Sequence, residues 1–175
     1  MRLDTEAGND KWAKATDLEM DQIKEYEVFI DKGKYHKSKI PRGFKEIRCH
    51  LVYDVKHDGR HKARLVAGGH LTDAPVDSVY SGVVSLRGFR MCLFLAELNN
   101  LDSYTTDIGN AYIQSYTREK IVVRAGKEFG DQADHLLIVS KSLYGLISTG
   151  IRWNKTLRRW LSDLSFKRSK CESDI

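Results

Sequence analysis

The spacing of apolar residues divides the first part of the chain into one helical and two extended segments. Apolar residues at near-helical spacing predict an amphipathic helix over residues 10–30, with Asp10 as its N-cap. From Ile47 the period changes to two, which predicts a strand over residues 47–55. Asp58-Gly59 predicts a hairpin with a type I′ turn, because such turns need positive φ at both central positions. Residues 64–67 would begin the returning strand.

The second half of the chain continues this mixture of helices and strands. Ser85 is predicted to cap a helix over residues 86–99, and its buried face would carry Phe89, Cys92, Leu93 and Ala96. Short strands are predicted over residues 104–108, 120–124 and 136–139. A last amphipathic helix is predicted over residues 149–164. Since strands and helices do not alternate regularly, we expect an α+β fold, an antiparallel sheet with packed helices.

Composition adds the broad class of protein. The 175 residues are 41% hydrophobic and 30% charged, which suits one globular domain, and the net charge of +5 modestly favours a phosphate-rich partner. Cys49, Cys92 and Cys171 form no metal-binding or disulfide pattern, so we expect buried, reduced thiols. The polar N-terminus and the lack of a long apolar stretch predict neither a secretory signal nor a membrane span. We therefore expect a cytoplasmic or nuclear protein.

One candidate site follows the strand predicted over residues 104–108. Asp107 ends this apolar stretch, and a glycine turn and the aromatic Tyr112 come after it. A carboxylate oxygen suits Mg²⁺, the backbone carbonyl of Ile108 could add a second oxygen ligand, and Tyr112 could lie under a sugar. Alternatively, Asp107 only caps a turn.

Two further segments could bind phosphate. Lys62 and Arg64 are two residues apart, so a strand would place both cations on one face, where they could hold a triphosphate. Tyr144 and Gly145 precede the last helix, where glycine permits close approach to a ligand and the helix N-terminus favours anions. The alternatives are a solvated strand face for the first segment and an ordinary strand-to-helix turn for the second.

The order of these segments carries more information than any one of them. It resembles the reverse transcriptase domain of copia-type retrotransposons, from about Trp12 to the end of the chain. The segments that carry the resemblance are residues 62–70, 80–85, 107–112, 118–121 with 126–130, and 142–146. The resemblance implies the fingers, about residues 10–80, and part of the palm, about residues 81–175, of a right-hand polymerase.

The resemblance also implies roles for the candidate residues. Asp107 matches the first catalytic aspartate, a ligand of both Mg²⁺ ions in two-metal nucleotidyl transfer, with the Ile108 carbonyl beside it. Tyr112 matches the aromatic residue that lies under the sugar and excludes ribonucleotides. Lys62 and Arg64 match fingers residues near the triphosphate. Tyr144 and Gly145 match a palm turn that packs on the nucleotide and template.

The sequence departs from the family pattern at several positions. Ile147 and Leu51 stand where the family has lysine and often tryptophan, and the fingers hairpin is short before Lys62. A Tyr-x-Asp-Asp hairpin, which supplies the remaining catalytic carboxylates, does not occur within the 175 residues. We therefore expect a fragment of a retrotransposon polyprotein reverse transcriptase that does not polymerise DNA by itself. In the complete domain its partners would be template-primer, dNTP and the other polyprotein segments.

Two other interpretations stay open at this point. The chain could be a non-enzymatic nucleic-acid-binding remnant that keeps the basic fingers and has lost the chemistry. It could also be an α+β domain with an unrelated role, which would require five ordered motif matches to arise by chance.

Overall fold

The structure, a computed structural model, describes residues 2–72 and 79–170. In chain order its helices and strands are α1 (Arg2–Ala7), α2 (Lys11–Glu25), β1 (Phe29–Lys34), β2 (Lys45–Ile47), β3 (Cys49–Val55), β4 (His61–Ala67), α3 (Leu86–Leu98), β5 (Ile121–Arg124), β6 (His135–Val139) and α4 (Thr149–Asp163). Short 3₁₀ turns connect several of them. This mixture confirms an α+β fold.

A four-stranded sheet forms one part of the molecule. Its strand order is β1-β6-β5-β2. The β1–β6 and β5–β6 pairs are antiparallel, whereas β2 pairs with β5 in parallel, so the expected antiparallel sheet has one parallel edge. Apolar side chains of this sheet and its neighbours form the core, with Ile23, Val28, Ile47, Leu65, Ala67, Ile113, Ile121, Val123, Val139, Leu143 and Leu146 buried together.

Strands β3 and β4 form a separate antiparallel hairpin, as predicted, but its turn is not type I′. Within this hairpin, φ is positive at Gly59 (79°) and not at Asp58. The N–H of Gly59 donates to the Lys56 carbonyl at 2.8 Å, and the N–H of Lys56 donates to the Arg60 carbonyl at 2.9 Å. These bonds close a three-residue loop in which glycine supplies the single left-handed position.

Three predicted elements are corrected by the structure. The strand predicted over residues 47–55 is interrupted at Arg48, since Ile47 ends β2 in the four-stranded sheet and Cys49 begins β3 in the hairpin. The helix predicted over residues 10–30 ends at Glu25, because Glu27 is left-handed (φ 51°) and the next residues pair with β6. Residues 104–108, predicted as a strand, have no regular secondary structure and are exposed. No described strand pairs with them, and an extended segment is stable as a strand only when a neighbour accepts its hydrogen bonds.

Helix α3 confirms its predicted cap and contradicts its predicted buried face. The Ser85 hydroxyl accepts a hydrogen bond from the Gly88 N–H at 2.9 Å. Phe89 is 48% exposed and Leu93 is 45% exposed, and none of the residues in α3 is buried. The apolar residues of α3 therefore remain open to solvent within the described part of the chain.

The cysteines follow the prediction only in part. Cys49 lies largely inside the molecule, and burial raises the pKa of its thiol to about 12. Cys92, on α3, is exposed, which contradicts the expected buried thiol. Cys171 lies outside the described residues. Among the described residues, no helix has both the length and the apolar content needed to cross a membrane.

Candidate functional site

A cleft of about 760 Å³ brings most of the predicted site residues together. Helix α2, the β3–β4 hairpin, the segment from Asp107 to Tyr112, and the start of α4 form its walls. The predicted residues that line it are Lys62, Arg64, Asp107, Ile108, Tyr112 and Tyr144. Segments far apart in the sequence therefore converge on one concave surface, as a ligand site requires.

The cations of β4 project into this cleft from one face of the strand. Lys62 pairs across the hairpin with Asp54, and Arg64 pairs with Val52, so the two cations are neighbours on one face as predicted. Burial, followed by the nearby charges of Arg64 and Lys56, lowers the pKa of Lys62. The Nε of Arg64 is buried and has no hydrogen-bond partner among the described residues. An anion in the cleft would supply the acceptor that this donor lacks.

Asp107 lies at the rim of the cleft, on an exposed segment rather than on a strand. The turn after it is held by the side-chain amide of Gln114, which donates to the Gly109 carbonyl at 2.8 Å. Asn110 adopts a left-handed conformation (φ 54°) within this turn. The turn leads into the 3₁₀ segment Tyr112–Gln114 and so carries the aromatic ring into the cleft beside the carboxylate.

The acidic groups of the cleft define which cation it could hold. Glu19 and Asp107 both line it, but Glu19 accepts a hydrogen bond from the Leu65 N–H. Among the described residues, no three His, Cys, Asp or Glu side chains cluster to hold a metal ion. Mg²⁺ often binds through one carboxylate together with substrate phosphates and water. Asp107 therefore fits one Mg²⁺ shared with a triphosphate, whereas the described residues do not form a two-ion site.

Two tyrosines form the aromatic wall. The rings of Tyr112 and Tyr144 are 5.2 Å apart between centroids and tilted by 56°. The guanidinium carbon of Arg64 lies 5.5 Å from the Tyr144 ring centroid, and burial raises the pKa of the Tyr144 hydroxyl. This contact places the planar arginine against an aromatic face and orients it towards the cleft.

Gly145 does not line the cleft, and its position reflects backbone packing. Its φ is 89°, in the left-handed region, and a Cβ there would collide with the carbonyl oxygen of Ala67. The preceding Tyr144 carbonyl accepts the Ala67 N–H at 2.8 Å. The turn before α4 is therefore attached directly to the end of β4, and only glycine fits this approach.

Two cleft residues were not identified as site residues from the sequence. Glu19 lies between Ala15 and Ile23 at intervals of four, so it shares the buried face of α2, and a carboxylate in that phase is the signal that could have identified it. Trp153, which lies on the helix predicted over residues 149–164, also lines the cleft. No local spacing distinguishes a ring that lines a cleft from one in a core.

Comparisons with known proteins identify the family to which the chain belongs. The family described as reverse transcriptase (RNA-dependent DNA polymerase) matches residues 32–175. Two Saccharomyces cerevisiae relatives, the transposon Ty1-BL and Ty1-NL2 Gag-Pol polyproteins, are 30% identical over 154 residues, covering 87% of this chain and 9% of each relative. The truncated transposon Ty1-A Gag-Pol polyprotein of the same yeast matches at 30% identity, with 13% of its length covered.

The family match and the share of the relatives that is covered identify the chain as part of a longer kind of protein. The chain spans about a tenth of the length of the curated relatives it matches. No solved structure matches it. The resemblance predicted from the sequence is confirmed. The chain is a fragment of a copia-type reverse transcriptase and belongs to the reverse transcriptase (RNA-dependent DNA polymerase) family.

Proposed function

We propose that this chain provides the nucleotide-binding side of a reverse transcriptase active site, in which Lys62 and Arg64 bind the triphosphate of an incoming dNTP. The observation that carries this proposal is the shared cleft, which holds the two cations of β4 together with Asp107 and Tyr112. The unpartnered Nε of Arg64 adds a donor that a phosphate oxygen would satisfy. The division into fingers, about residues 10–80, and partial palm, about residues 81–175, is part of this proposal.

Each cleft residue has a distinct part in this proposal. Lys62 provides a point charge and Arg64 a planar fork, so together they neutralise and orient the phosphates. Tyr112 lies under the sugar and leaves no room for a 2′-hydroxyl group. Asp107, with the Ile108 carbonyl, would hold Mg²⁺, which neutralises charge on the phosphates and, as a pair of ions in the complete domain, activates the primer 3′-hydroxyl. Tyr144 and Gly145 form the turn on which the nucleotide and template would pack.

Nucleotide affinity tests the two cations directly. We expect Lys62→Ala and Arg64→Ala each to weaken binding of dATP with Mg²⁺ by about tenfold to a hundredfold, because each removes a charge-assisted hydrogen bond. Isothermal titration calorimetry on the 175-residue chain measures this. Lys127→Ala and Arg118→Ala are the charge-matched controls, since both residues are exposed and lie outside the cleft. Equal affinities in all five proteins would contradict the proposal.

The roles of Asp107 and Tyr112 are tested by two comparisons. Asp107→Asn should abolish the gain in dATP affinity that Mg²⁺ provides, and Tyr112→Ala should reduce the preference for dATP over ATP. We also propose that the isolated chain does not extend a primer, because Asp107 is the only cleft carboxylate among the described residues that is not already bonded to the backbone. Primer extension that disappeared in Asp107→Asn would contradict that expectation.

A nucleic-acid-binding remnant is the second candidate function. It is favoured by Lys56, which extends the positive surface of the cleft along the hairpin beyond Lys62, whereas the charge of Arg60 is paired with Asp58. Binding to a primer–template that weakens linearly with salt on a log–log scale, without measurable dATP affinity, would support this function instead. Absence of primer–template binding at low salt would exclude it.

The partners and the compartment are also part of the proposal. We propose template-primer, dNTP and the remaining segments of a polyprotein as partners in the complete domain. We place the protein in the cytoplasm or nucleus.

A further inference from the structure

The partly buried carboxylate of Glu19 connects α2 to the cationic strand of the cleft. Its Oε1 accepts the hydrogen bond from the Leu65 N–H at 2.9 Å, although the two residues are 46 positions apart. Leu65 follows Arg64 directly, and Glu19 lines the same cleft as Lys62 and Arg64. The carboxylate is therefore bonded to the strand backbone directly after Arg64, in the cleft that both cations line.

The bond to Leu65 also satisfies the open edge of a short sheet. Strands β3 and β4 form a two-stranded sheet, so among the described residues one edge of β4 has no neighbouring strand. At this edge the Ala67 N–H donates to the Tyr144 carbonyl and the Leu65 N–H donates to Glu19. Glu19 therefore takes the place of a carbonyl from a missing strand, and it brings a negative charge that a carbonyl lacks.

The charges around Glu19 and Lys62 are mutually dependent. Burial raises the pKa of Glu19, and the Leu65 N–H, Lys62 and Arg64 oppose this effect. Burial, Arg64 and Lys56 lower the pKa of Lys62, and Glu19 and Asp107 oppose this effect. The ionised carboxylate and the ammonium group thus stabilise each other in a site that removes each of them only partly from water.

We propose that Glu19 is a positioning residue of the triphosphate site, which fixes β4 against α2 through the Leu65 amide and places a negative charge in the cleft that Lys62 and Arg64 line. The identification of the ligand as a triphosphate rests on the function proposed above. The electrostatic interaction between Glu19 and Lys62 does not depend on that function. A glutamine at position 19 retains an acceptor for the Leu65 N–H but not the charge. An alanine loses both, so the two substitutions separate the two effects.

A measurement without ligand tests the charge relation. Lysine side chains labelled with ¹³C at Cε report their own titration by NMR, and Lys62→Ala identifies the signal of Lys62. We expect Glu19→Gln to move the titration midpoint of Lys62 to lower pH. Asp17→Asn, an exposed carboxylate on the same helix outside the cleft, should leave it unchanged. A midpoint that is equal in wild type and Glu19→Gln would overturn the proposal.

The dependence of dATP affinity on pH tests the consequence for binding. At an alkaline pH where wild-type Lys62 remains charged, Glu19→Gln should bind dATP with Mg²⁺ about tenfold more weakly. Adding Lys62→Arg to Glu19→Gln should restore binding, because a guanidinium does not deprotonate in this range. Glu19→Ala, with its fold checked by circular dichroism, should bind more weakly at every pH.

The two proposals fail in different ways. Wild-type chain that does not bind dATP contradicts the proposed function, and the NMR titration then decides the role of Glu19 alone. Wild-type binding with an unchanged pH profile in Glu19→Gln contradicts the role of Glu19 and leaves the function of Lys62 and Arg64 standing.

Discussion

At the scale of single residues, Gly145 shows how one backbone position determines the geometry of the cleft. Its left-handed conformation turns the chain so that the Tyr144 carbonyl bonds to β4 and the Tyr144 ring faces Arg64. Gly69, on the other side of this contact, has no room for a Cβ because it would collide with the Gly145 carbonyl oxygen. The two glycines let two backbones meet where side chains would separate them.

Substitution of Gly145 tests this packing. Gly145→Ala should lower the free energy of unfolding by about 3 kcal/mol, since backbone strain and a collision with Ala67 add together. Urea unfolding followed by tryptophan fluorescence measures the loss. Gly59→Ala is the matched control, because Gly59 is also left-handed but a Cβ there meets no atom within 4 Å. Gly59→Ala should lower the free energy of unfolding by only about 1 kcal/mol. Equal decreases in the two variants would show that the collision with Ala67 contributes nothing.

At the scale of elements, the start of α4 depends on a carboxylate from another part of the chain. Glu119 accepts hydrogen bonds from both the N–H of Ser148, at 3.1 Å, and the Ser148 hydroxyl. Ser148 is the N-cap of α4 but makes no capping bond with its own side chain. A distant glutamate therefore provides the negative group that the helix N-terminus favours, and it fixes the helix that carries Trp153.

Loss of this carboxylate should destabilise the element selectively. We expect Glu119→Ala to lower the free energy of unfolding by about 2 kcal/mol, and Ser148→Ala by about 1 kcal/mol because one donor remains. Chemical unfolding monitored by circular dichroism gives both values. Glu25→Ala, which removes an exposed carboxylate, should change stability by less than about 0.5 kcal/mol. Similar losses for Glu119→Ala and Glu25→Ala would exclude the capping role.

The elements also show what the sequence could and could not predict. The hairpin and strands β5 and β6 were predicted because their signals are local: alternation, a glycine turn and β-branched residues. The predicted strand over residues 104–108 was wrong because strand formation depends on a neighbour, which no local pattern specifies. The helix predicted to continue to residue 30 was wrong because Val28 to Ile30 are apolar in both helical and extended periods, and pairing with β6 decided between them.

At the scale of the whole molecule, the order of motifs predicted which residues share one cleft, whereas local patterns predicted the elements that carry these residues less well. Lys62, Arg64, Asp107 and Tyr112 were selected from the sequence and share one cleft, although Asp107 is not on the predicted strand. Gly145 was selected with them but faces β4 instead. Glu19 was not selected, because its bond to Leu65, 46 positions away, is not visible in the sequence, although its place on the buried face of α2 was a signal that could have identified it.

Helix α3 carries many exposed apolar side chains, which matter for how whole molecules associate. Its exposed large apolar residues are Leu86, Phe89, Met91, Leu93, Phe94, Leu95 and Leu98. Contiguous apolar surface of this kind favours association in water, because burying it between copies releases the water around it. We therefore expect the 175-residue chain to self-associate as its concentration rises.

Two neutral substitutions on α3 test this expectation. Phe94 is 61% exposed and Leu98 is 69% exposed. Phe94→Gln with Leu98→Gln should lower the average sedimentation coefficient at high concentration, because glutamine removes apolar surface without changing net charge or helix propensity greatly. Unfolding free energy should change by less than about 0.5 kcal/mol, as these side chains contribute little burial. Val55→Thr, at an exposed apolar site on the hairpin, is the control and should leave self-association unchanged. If the double variant sediments like the wild type, α3 is not the surface through which the chain associates.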